Sequence, residues 1–177
     1  VLNGTIINQN GWVWKLGMNL THYKNKVTEL PLKDMPQSGV NKLQVGRSVY
    51  DFYMKEWAGV DPDNGNPLWY MDEKDANDNL TGKRVTTSDY ASASYYYVNK
   101  SSLPKVYGGF NTSLSWKGFD LSAIFAYSIG GYIYNRDITM ILHNGSLEGR
   151  DWSTEILKRW TPENRYTDVP ALSTTTN

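Results

Sequence analysis

Residues Pro104–Asn135 read PKVYGGFNTSLSWKGFDLSAIFAYSIGGYIYN, and their spacing decides the fold. From Phe110 to Trp116 the bulky apolar residues Phe110, Leu114 and Trp116, with Thr112, occupy one set of alternate positions. Asn111, Ser113 and Ser115 occupy the other. Beyond Lys117-Gly118 the alternation resumes: Phe119, Leu121, Ala123, Phe125 and Tyr127 lie on one side. Asp120, Ser122, Ala126 and Ser128 lie on the other, interrupted by Ile124. Successive side chains of a β-strand point to opposite faces, so period two predicts a hairpin with one apolar and one small, polar face. A helix needs apolar repeats at three or four residues. Lys-Gly between the arms suits a tight turn, because glycine accepts positive φ without steric cost.

The same design is legible earlier. Val1–Asn8 reads as a strand, and Gln9-Asn10-Gly11 contains the Asn-Gly pair typical of two-residue hairpin turns. In Trp12–Tyr23, Trp12, Trp14, Leu16, Met18 and Leu20 alternate with Val13, Lys15, Gly17, Asn19 and Thr21. About ten strand residues at ~3.3 Å each, tilted near 45°, cover roughly 24 Å, the height of the apolar band of an outer-membrane barrel.

Composition restricts the classes of function. The 177 residues carry 18 Lys+Arg against 18 Asp+Glu, so net charge is zero and no basic surface for nucleic acid or anionic lipid is advertised. There is no cysteine, which excludes disulfides and thiolate metal sites. Seven Trp and thirteen Tyr in a chain of mean hydropathy −0.56 indicate amphipathic surfaces bearing large rings. Such surfaces occur in membrane barrels and in sugar-binding β-proteins. No apolar run is long enough for a transmembrane helix, and Val1 opens no signal-peptide pattern. Barrel strands alternate and so escape hydropathy scans.

Asn25–Leu103 has no sustained period. Short apolar runs (Leu43–Val45, Val49–Tyr53, Leu68–Met71, Tyr95–Val98) stand among Asp, Asn, Gly, Ser and Pro. A segment this long is either functional or carries small local elements. After Asn135, Asp151–Trp160 is the predicted helix, capped by Asp151 or Ser153 and followed by Pro162. The expected layout is one fragment over residues 1–177, with strands near 1–8, 12–23, 105–116 and 119–134 and long loops over 24–104 and 135–177. Short turns alternating with long connections match a transmembrane barrel, with tight periplasmic turns and extended extracellular loops.

Several stretches resemble a known family. LTHYKNKVTELP (Leu20–Pro31), VGRSVYDFYMKEWAGVDPDNGNPLWY (Val45–Tyr70), LPKVYGGFNTSLSWKGFDLSAIFAYSIGGYIYN (Leu103–Asn135) and RWTPENRYTDVP (Arg159–Pro170) are similar, in order, to a late barrel portion of SusC/RagA-type TonB-dependent transporters. The resemblance implies an outer-membrane, energy-coupled importer of glycans or peptides in Bacteroidetes-type bacteria. It further implies a SusD-like surface lipoprotein as partner and coupling to the TonB complex through a plug. The chain shows no TonB box, no plug and too few strands to close a barrel of about twenty-two, so it is expected to be a fragment.

Candidate chemistry is sparse. Asp61-Pro62-Asp63-Asn64-Gly65-Asn66 and Asp72–Asp78 offer oxygen ligands, but counting an EF-hand from Asp61 puts Gly65, Asn66 and Asp72 at positions five, six and twelve. Asx-turn chemistry accounts for these residues better than Ca²⁺. A glycosidase pair needs a carboxyl of raised pKa, which hydrated loop acids have no reason to supply. His22 and His143 assemble no triad or metal spacing, and His22 reads as an interfacial residue. Neither catalysis nor a cofactor is expected. Gly108-Gly109 and Gly130-Gly131 mark bulges or close strand approach.

Trp57, Trp69, Tyr70, Tyr95, Tyr96 and Tyr97 are the candidate ligand-binding residues, as flat rings that stack on sugar or line an interface. The alternative is that they pack the loop upon itself. Trp12, Trp14, Trp116, Phe119, Tyr132 and Tyr134 suit aromatic girdles at strand ends. The competing architecture is a soluble β-sandwich binding carbohydrate, which would bury the apolar face between sheets. Four strands alone also leave open edges, so in isolation the strands are expected to curl around the loop segment, pair with a second copy, or both.

Overall fold

In the computed structural model, which describes residues 1–32, 35–145, 147 and 149–173, the chain divides into two units. The first comprises Val1–Phe52 with Asn99–Ile133, the second Tyr53–Val98 with Tyr134–Asn177.

The first unit is built on a four-stranded antiparallel sheet of β1 (Leu2–Gln9), β2 (Trp12–Thr21), β10 (Pro104–Trp116) and β11 (Phe119–Gly130), in the order β1-β2-β10-β11. Both tight turns place their central residues at positive φ: Asn10 at 54° and Gly11 at 78°, Lys117 at 46° and Gly118 at 88°. That is the primed geometry whose twist matches the flanking strands. Register then aligns the alternation across the sheet. Met18 lies opposite Phe110, which lies opposite Phe125; Trp14, Leu114 and Leu121 form another row; Trp12, Trp116 and Phe119 a third. The second face carries Gly17-Asn111-Ile124, Lys15-Ser113-Ser122 and Val13-Ser115-Asp120.

The apolar face stands open, with Phe119 74% and Leu121 70% exposed. A sandwich would bury those side chains against a second sheet. Ile124, on the polar face, is 85% exposed and the odd member there.

Side chains along this sheet satisfy their polar tips locally. Trp14 donates its indole N–H to Thr112 Oγ1 at 2.9 Å, so the ring remains on the apolar face without an unpaired donor. Trp12 stacks on Trp116 at 4.9 Å beside the Lys117-Gly118 turn, and Phe110 stacks on Phe125 at 4.4 Å. At the other strand ends Tyr23 meets Tyr107 edge-on at 6.3 Å. Tyr127 reaches past Gly108 to donate its hydroxyl to Asn19 O at 2.9 Å. A Cβ on Gly108 would sit 2.1 Å from that same carbonyl, so only glycine permits the approach. On the polar face Gly17 leaves a notch where the Asn3 and Asn111 carboxamides converge. His22 Nδ1 donates to Lys105 O at 2.6 Å, an interstrand tie beyond the end of β2.

Among its described residues the connection from β2 to β10 holds seven strands, so a segment without a long alternating run is still structured. That segment carries small local elements. β3 (Gln37–Ser38), β4 (Asn41–Lys42), β5 (Asp51–Lys55) and β9 (Tyr95–Ser101) form one small sheet, and the boundary between the units falls within β5 and β9. β6 (Trp57–Val60), β7 (Pro67–Lys74) and β8 (Leu80–Thr87) form an antiparallel sheet in that order. Of the short apolar runs, Leu68–Met71 lies in β7, Tyr95–Val98 opens β9 and Val49–Tyr53 overlaps β5. Leu43–Val45 forms no strand. In the first unit Asn25 Oδ1 accepts from Val49 N at 2.9 Å and Ser48 Oγ at 3.1 Å, which fixes the start of the VGRSVYDFY segment.

Two helical pieces close the chain. α1 (Arg136–Ile141) is capped by Asn135, whose side chain accepts from Ile138 N at 3.2 Å. The helix expected over 151–160 is shorter and tighter than predicted: a 3-10 segment, Thr154–Lys158, capped by Ser153 and holding Ile156 in the interior. Five residues between the Ser153 cap and Arg159, just ahead of the Thr161–Asn164 turn, leave little room for α-helical hydrogen bonding to propagate. No helix among the described residues is long and apolar enough to cross a membrane, which says nothing of strands.

Candidate functional site

The second unit contains a cavity of about 620 Å³, within the size range of small-ligand sites. Its floor is apolar: Trp57 and Pro67 flank Trp69, and Ile138, Leu142 and Val169 complete the lining. These side chains come from β6, β7, α1 and the segment after the 3-10 helix. Trp57 and Trp69 are register partners across β6 and β7 and meet edge-on at 5.8 Å. Tyr90 supports Trp69 from behind at 5.1 Å. Lys55 Nζ lies 4.0 Å from the Tyr90 ring centroid and donates to the Tyr90 carbonyl. Burial pushes the Tyr90 phenol above its ordinary value, so it stays neutral at physiological pH.

Two polar groups distinguish this cavity. His143 is 8% exposed and lies against it. Its Nδ1 accepts from Trp152 Nε1 at 3.0 Å, and the Gly145 and Leu147 amides approach the same nitrogen at 3.3 and 3.4 Å. A nitrogen accepting in this way carries no proton, so in the neutral ring the proton is on Nε2. That Nε2 is buried without a hydrogen-bond partner among the described residues. Asp168, also lining the cavity, is exposed and makes no ion pair with a described residue.

The six candidate rings separate. Trp57 and Trp69 line the cavity; Tyr70, Tyr95, Tyr96 and Tyr97 do not. Tyr70 follows Trp69 in β7 and so points to the opposite face of that strand. Its backbone takes Tyr70 N to Glu56 O at 3.0 Å and receives Ser94 N at 3.2 Å. Tyr95 stacks on Tyr53 at 5.6 Å, and Tyr97 meets Tyr53 at 4.8 Å. Tyr96, on the alternate side, donates to Asp72 Oδ1 at 2.9 Å beneath the Arg84 guanidinium, 3.8 Å from the ring. Burial, then the Asp72 bond, raises its phenol. The Tyr95, Tyr96 and Tyr97 rings make contacts within the unit. Sequence alone singles out neither Ile138 and Leu142, in and capping the six-residue α1, nor Asp168 and Val169, in an irregular segment, and gives His143 no role; the Asn135-x-Asp137 cap is the sequence signal for α1.

The cavity is braced by the joining of two motifs, DPDNGN and RWTPENRYTDVP. Trp160 Nε1 and Arg165 Nε both donate to Pro62 O, at 3.1 and 2.7 Å, and Arg165 pairs with Asp63 at 2.5 Å. Ala171 N donates to Gly65 O at 2.9 Å. Gly65, at φ +76°, lies so close to the Trp160 ring that a Cβ would come within 2.6 Å of it. Asp61 meanwhile accepts from Asp63 N and Asn64 Nδ2, and Asp75 from Asn77 N and Asn79 N. Their carboxylates are committed to turns. Among the described residues no three His, Cys, Asp or Glu side chains cluster to hold a metal.

Comparison with known proteins places this geometry. No protein-family profile matches the chain. It is similar to TonB-dependent receptor P3 of Formosa agariphila, 25% identical over 96% of the chain, and to TonB-dependent receptor P26 of the same organism, 28% identical over 96%. Among solved structures it superposes on the RagAB peptide importer in the closed-closed state with a TM-score of 0.81 at 33% identity over 96% of the chain. It superposes on the RagAB peptide transporter with a TM-score of 0.82 at 31% identity over 99%. The chain spans 18% of the length of these receptors and 19% of the RagAB chains, about a fifth of each.

Proposed function

Because the chain is a homologue of TonB-dependent receptors and corresponds to a SusC/RagA-type barrel portion, we propose that it forms part of the wall and cell-surface loops of an outer-membrane nutrient importer. The sheet β1-β2-β10-β11 is a section of that wall, apolar face to lipid and polar face to the lumen. In this reading the tight turns Asn10-Gly11 and Lys117-Gly118 are periplasmic, and the long connections 24–104 and 135–177 are extracellular. The cargo is glycan or peptide, and the relatives' RagAB assembly favours peptide. A SusD-like lipoprotein is the outer partner, and the TonB complex drives import through a plug elsewhere in the protein. The chain breaks no bonds in this account; the acids of its two Asx-rich loops, Asp61 and Asp75, are engaged in turns. Its free sheet edges, β1 and β11, continue into neighbouring strands or pair with a second copy when the fragment is isolated.

One observation carries this reading: three rows of apolar side chains align in register on one face, with Phe119, Leu121 and Phe125 exposed and Trp14, Leu114 and Trp116 half-buried, while Asn, Ser and Lys predominate on the other. Lipid makes that arrangement favourable, whereas water would leave it an aggregating surface. The test is fractionation and uptake with the full-length protein. It is expected in the outer membrane, co-purifying with a surface lipoprotein, and its deletion abolishes uptake of labelled oligopeptides or oligosaccharides. Recovery in a soluble fraction with unchanged uptake of both would overturn the reading.

A further inference from the structure

The neutral total charge conceals a division. The first unit holds nine Lys and Arg against four Asp and Glu, and the second holds nine against fourteen. Among the described residues, the stretches that follow β2 and precede β10 in the first unit carry Lys24, Lys26, Lys42, Arg47, Lys100 and Lys105 against Glu29 and Asp51.

Two of these lysines converge on one phenol. Lys100 Nζ donates to the Tyr132 hydroxyl oxygen at 3.0 Å and stands 4.5 Å from the centre of its ring. The Tyr132 amide fixes the residue there by donating to Ser101 O at 2.9 Å. Lys105 sits where β10 and β11 shift register, its carbonyl tied to His22 and its Cγ 3.1 Å from where a Cβ of Gly130 would stand. The Lys100 bond and charge, with the Lys105 charge behind them, hold the Tyr132 phenol below its ordinary value. Both lysines are exposed, and neither pairs with a carboxylate among the described residues. The Tyr132 oxygen accepts from Lys100, so its own proton remains to be given.

Position supplies a second argument. Trp116, stacked on Trp12, marks one edge of the sheet. From there to Lys105, β10 rises roughly 26 Å at ~3.3 Å per residue and a tilt near 45°, the height of a barrel's apolar band. The cluster therefore lies where headgroups begin. Ile129 ends the apolar face opposite Val106 and is 60% exposed, and Ile133, next to Tyr132 in the chain, is 92% exposed. A dissolved anion calls for charge alone. A lipid brings phosphate oxygens for the ammoniums and acyl chains for the aliphatic side chains.

We infer that Lys100, Lys105 and the Tyr132 hydroxyl bind the phosphate of a membrane-lipid headgroup, whose acyl chains run along Ile129 and the apolar face. The inference rests on the importer reading, which sets that face in a bilayer. Bound lipid fixes this end of the wall at the interface, as the Trp12–Trp116 pair fixes the other.

The experiment uses the full-length protein in a non-ionic detergent, with bound lipids counted by native mass spectrometry. The probes are dioleoyl phosphatidic acid, dioleoylglycerol, which has the same chains without phosphate, and inorganic phosphate. Phosphatidic acid is expected to bind saturably and about tenfold or more tighter than dioleoylglycerol, and inorganic phosphate in excess is expected to leave it bound. Lys100→Gln and Lys105→Gln should each weaken one lipid site about fivefold. The double variant should lose that bound lipid, while Lys117→Gln, at the opposite edge, loses none. Comparing the probes on the unaltered protein needs no variant to fold. Equal binding of the two lipids, displacement by inorganic phosphate, or an unchanged lipid count in the double variant would overturn the inference. If the protein still fractionates to the outer membrane and supports uptake, the importer reading survives that failure.

Discussion

The wall strands and the loop unit solve the same problem, burying or shielding large rings, with different physics. In the sheet of β1, β2, β10 and β11 the rings stand on alternate positions, and in the proposed barrel wall lipid supplies their apolar surroundings. In the second unit Trp57, Trp69, Tyr90, Tyr53 and Tyr95 shield one another in edge-on and stacked pairs at 5.1–5.8 Å. Side-chain bonds to backbone fix their connecting turns. Strand order in the first region is therefore governed by period and register, while the second depends on individual contacts. Damage should accordingly follow alternation in one and particular residues in the other.

The largest expected effect is a charge on the lipid side of the wall. Phe125→Arg, in mid-strand, should cost about 2–4 kcal/mol of stability in a bilayer, against little for the neighbouring Ser122→Arg, which faces the lumen. Unfolding of both variants in lipid vesicles measures the contrast; equal costs would break the distinction between faces. Next comes Gly108→Val, whose Cβ collides with the Asn19 carbonyl 2.1 Å away and should cost about 1–3 kcal/mol through overpacking. A comparable loss is expected in the second unit from Gly65→Ala, which combines positive φ with a Cβ 2.6 Å from the Trp160 ring. There the effect should be local: hydrogen exchange speeds up at Trp160 and Ala171 while β10 and β11 stay protected. Global loss of protection would argue against two separate units.

These contrasts also explain what was legible in the sequence. Both wall hairpins could be read because period two, Asn10-Gly11 and Lys117-Gly118 all agree with the tertiary register. In the long connection β3 to β6 are two to five residues long, and ring pairs such as Trp57–Trp69 and Tyr53–Tyr95 join residues far apart in sequence, so a local window does not contain their reason for forming. The candidate site was half legible. Trp57 and Trp69 stand out as rings in a polar segment, and they do line the cavity. Tyr95 and Tyr97 stand out equally, yet they pack against Tyr53. His143 and Asp168 belong to segments whose convergence depends on the Trp160 and Arg165 bonds to Pro62, a pairing across about a hundred residues that local pattern does not encode.

A smaller effect is expected from acid. The Asn79 amide, then the Asn77 amide, holds the Asp75 carboxyl below its ordinary value of 3.8. A depressed carboxyl stabilises its turn at pH above the unfolded value, and the gain disappears as pH falls through the folded one. The Asn77 and Asn79 amide resonances should therefore titrate together at a pH below 3.8, with neutral pH leaving the turn intact. Titration at or above the ordinary value would mean that the amides do not hold the carboxylate.

The most direct test of the wall is a cysteine scan of residues 119–130 in the full-length protein in bilayers, starting from a chain segment that has no cysteine of its own. With spin labels at each position, accessibility to oxygen in the lipid should peak at Phe119, Leu121, Ala123 and Phe125. Accessibility to a water-soluble relaxant should peak at Asp120, Ser122, Ala126 and Ser128. A profile without period two, or one with the two sets exchanged, would contradict the account.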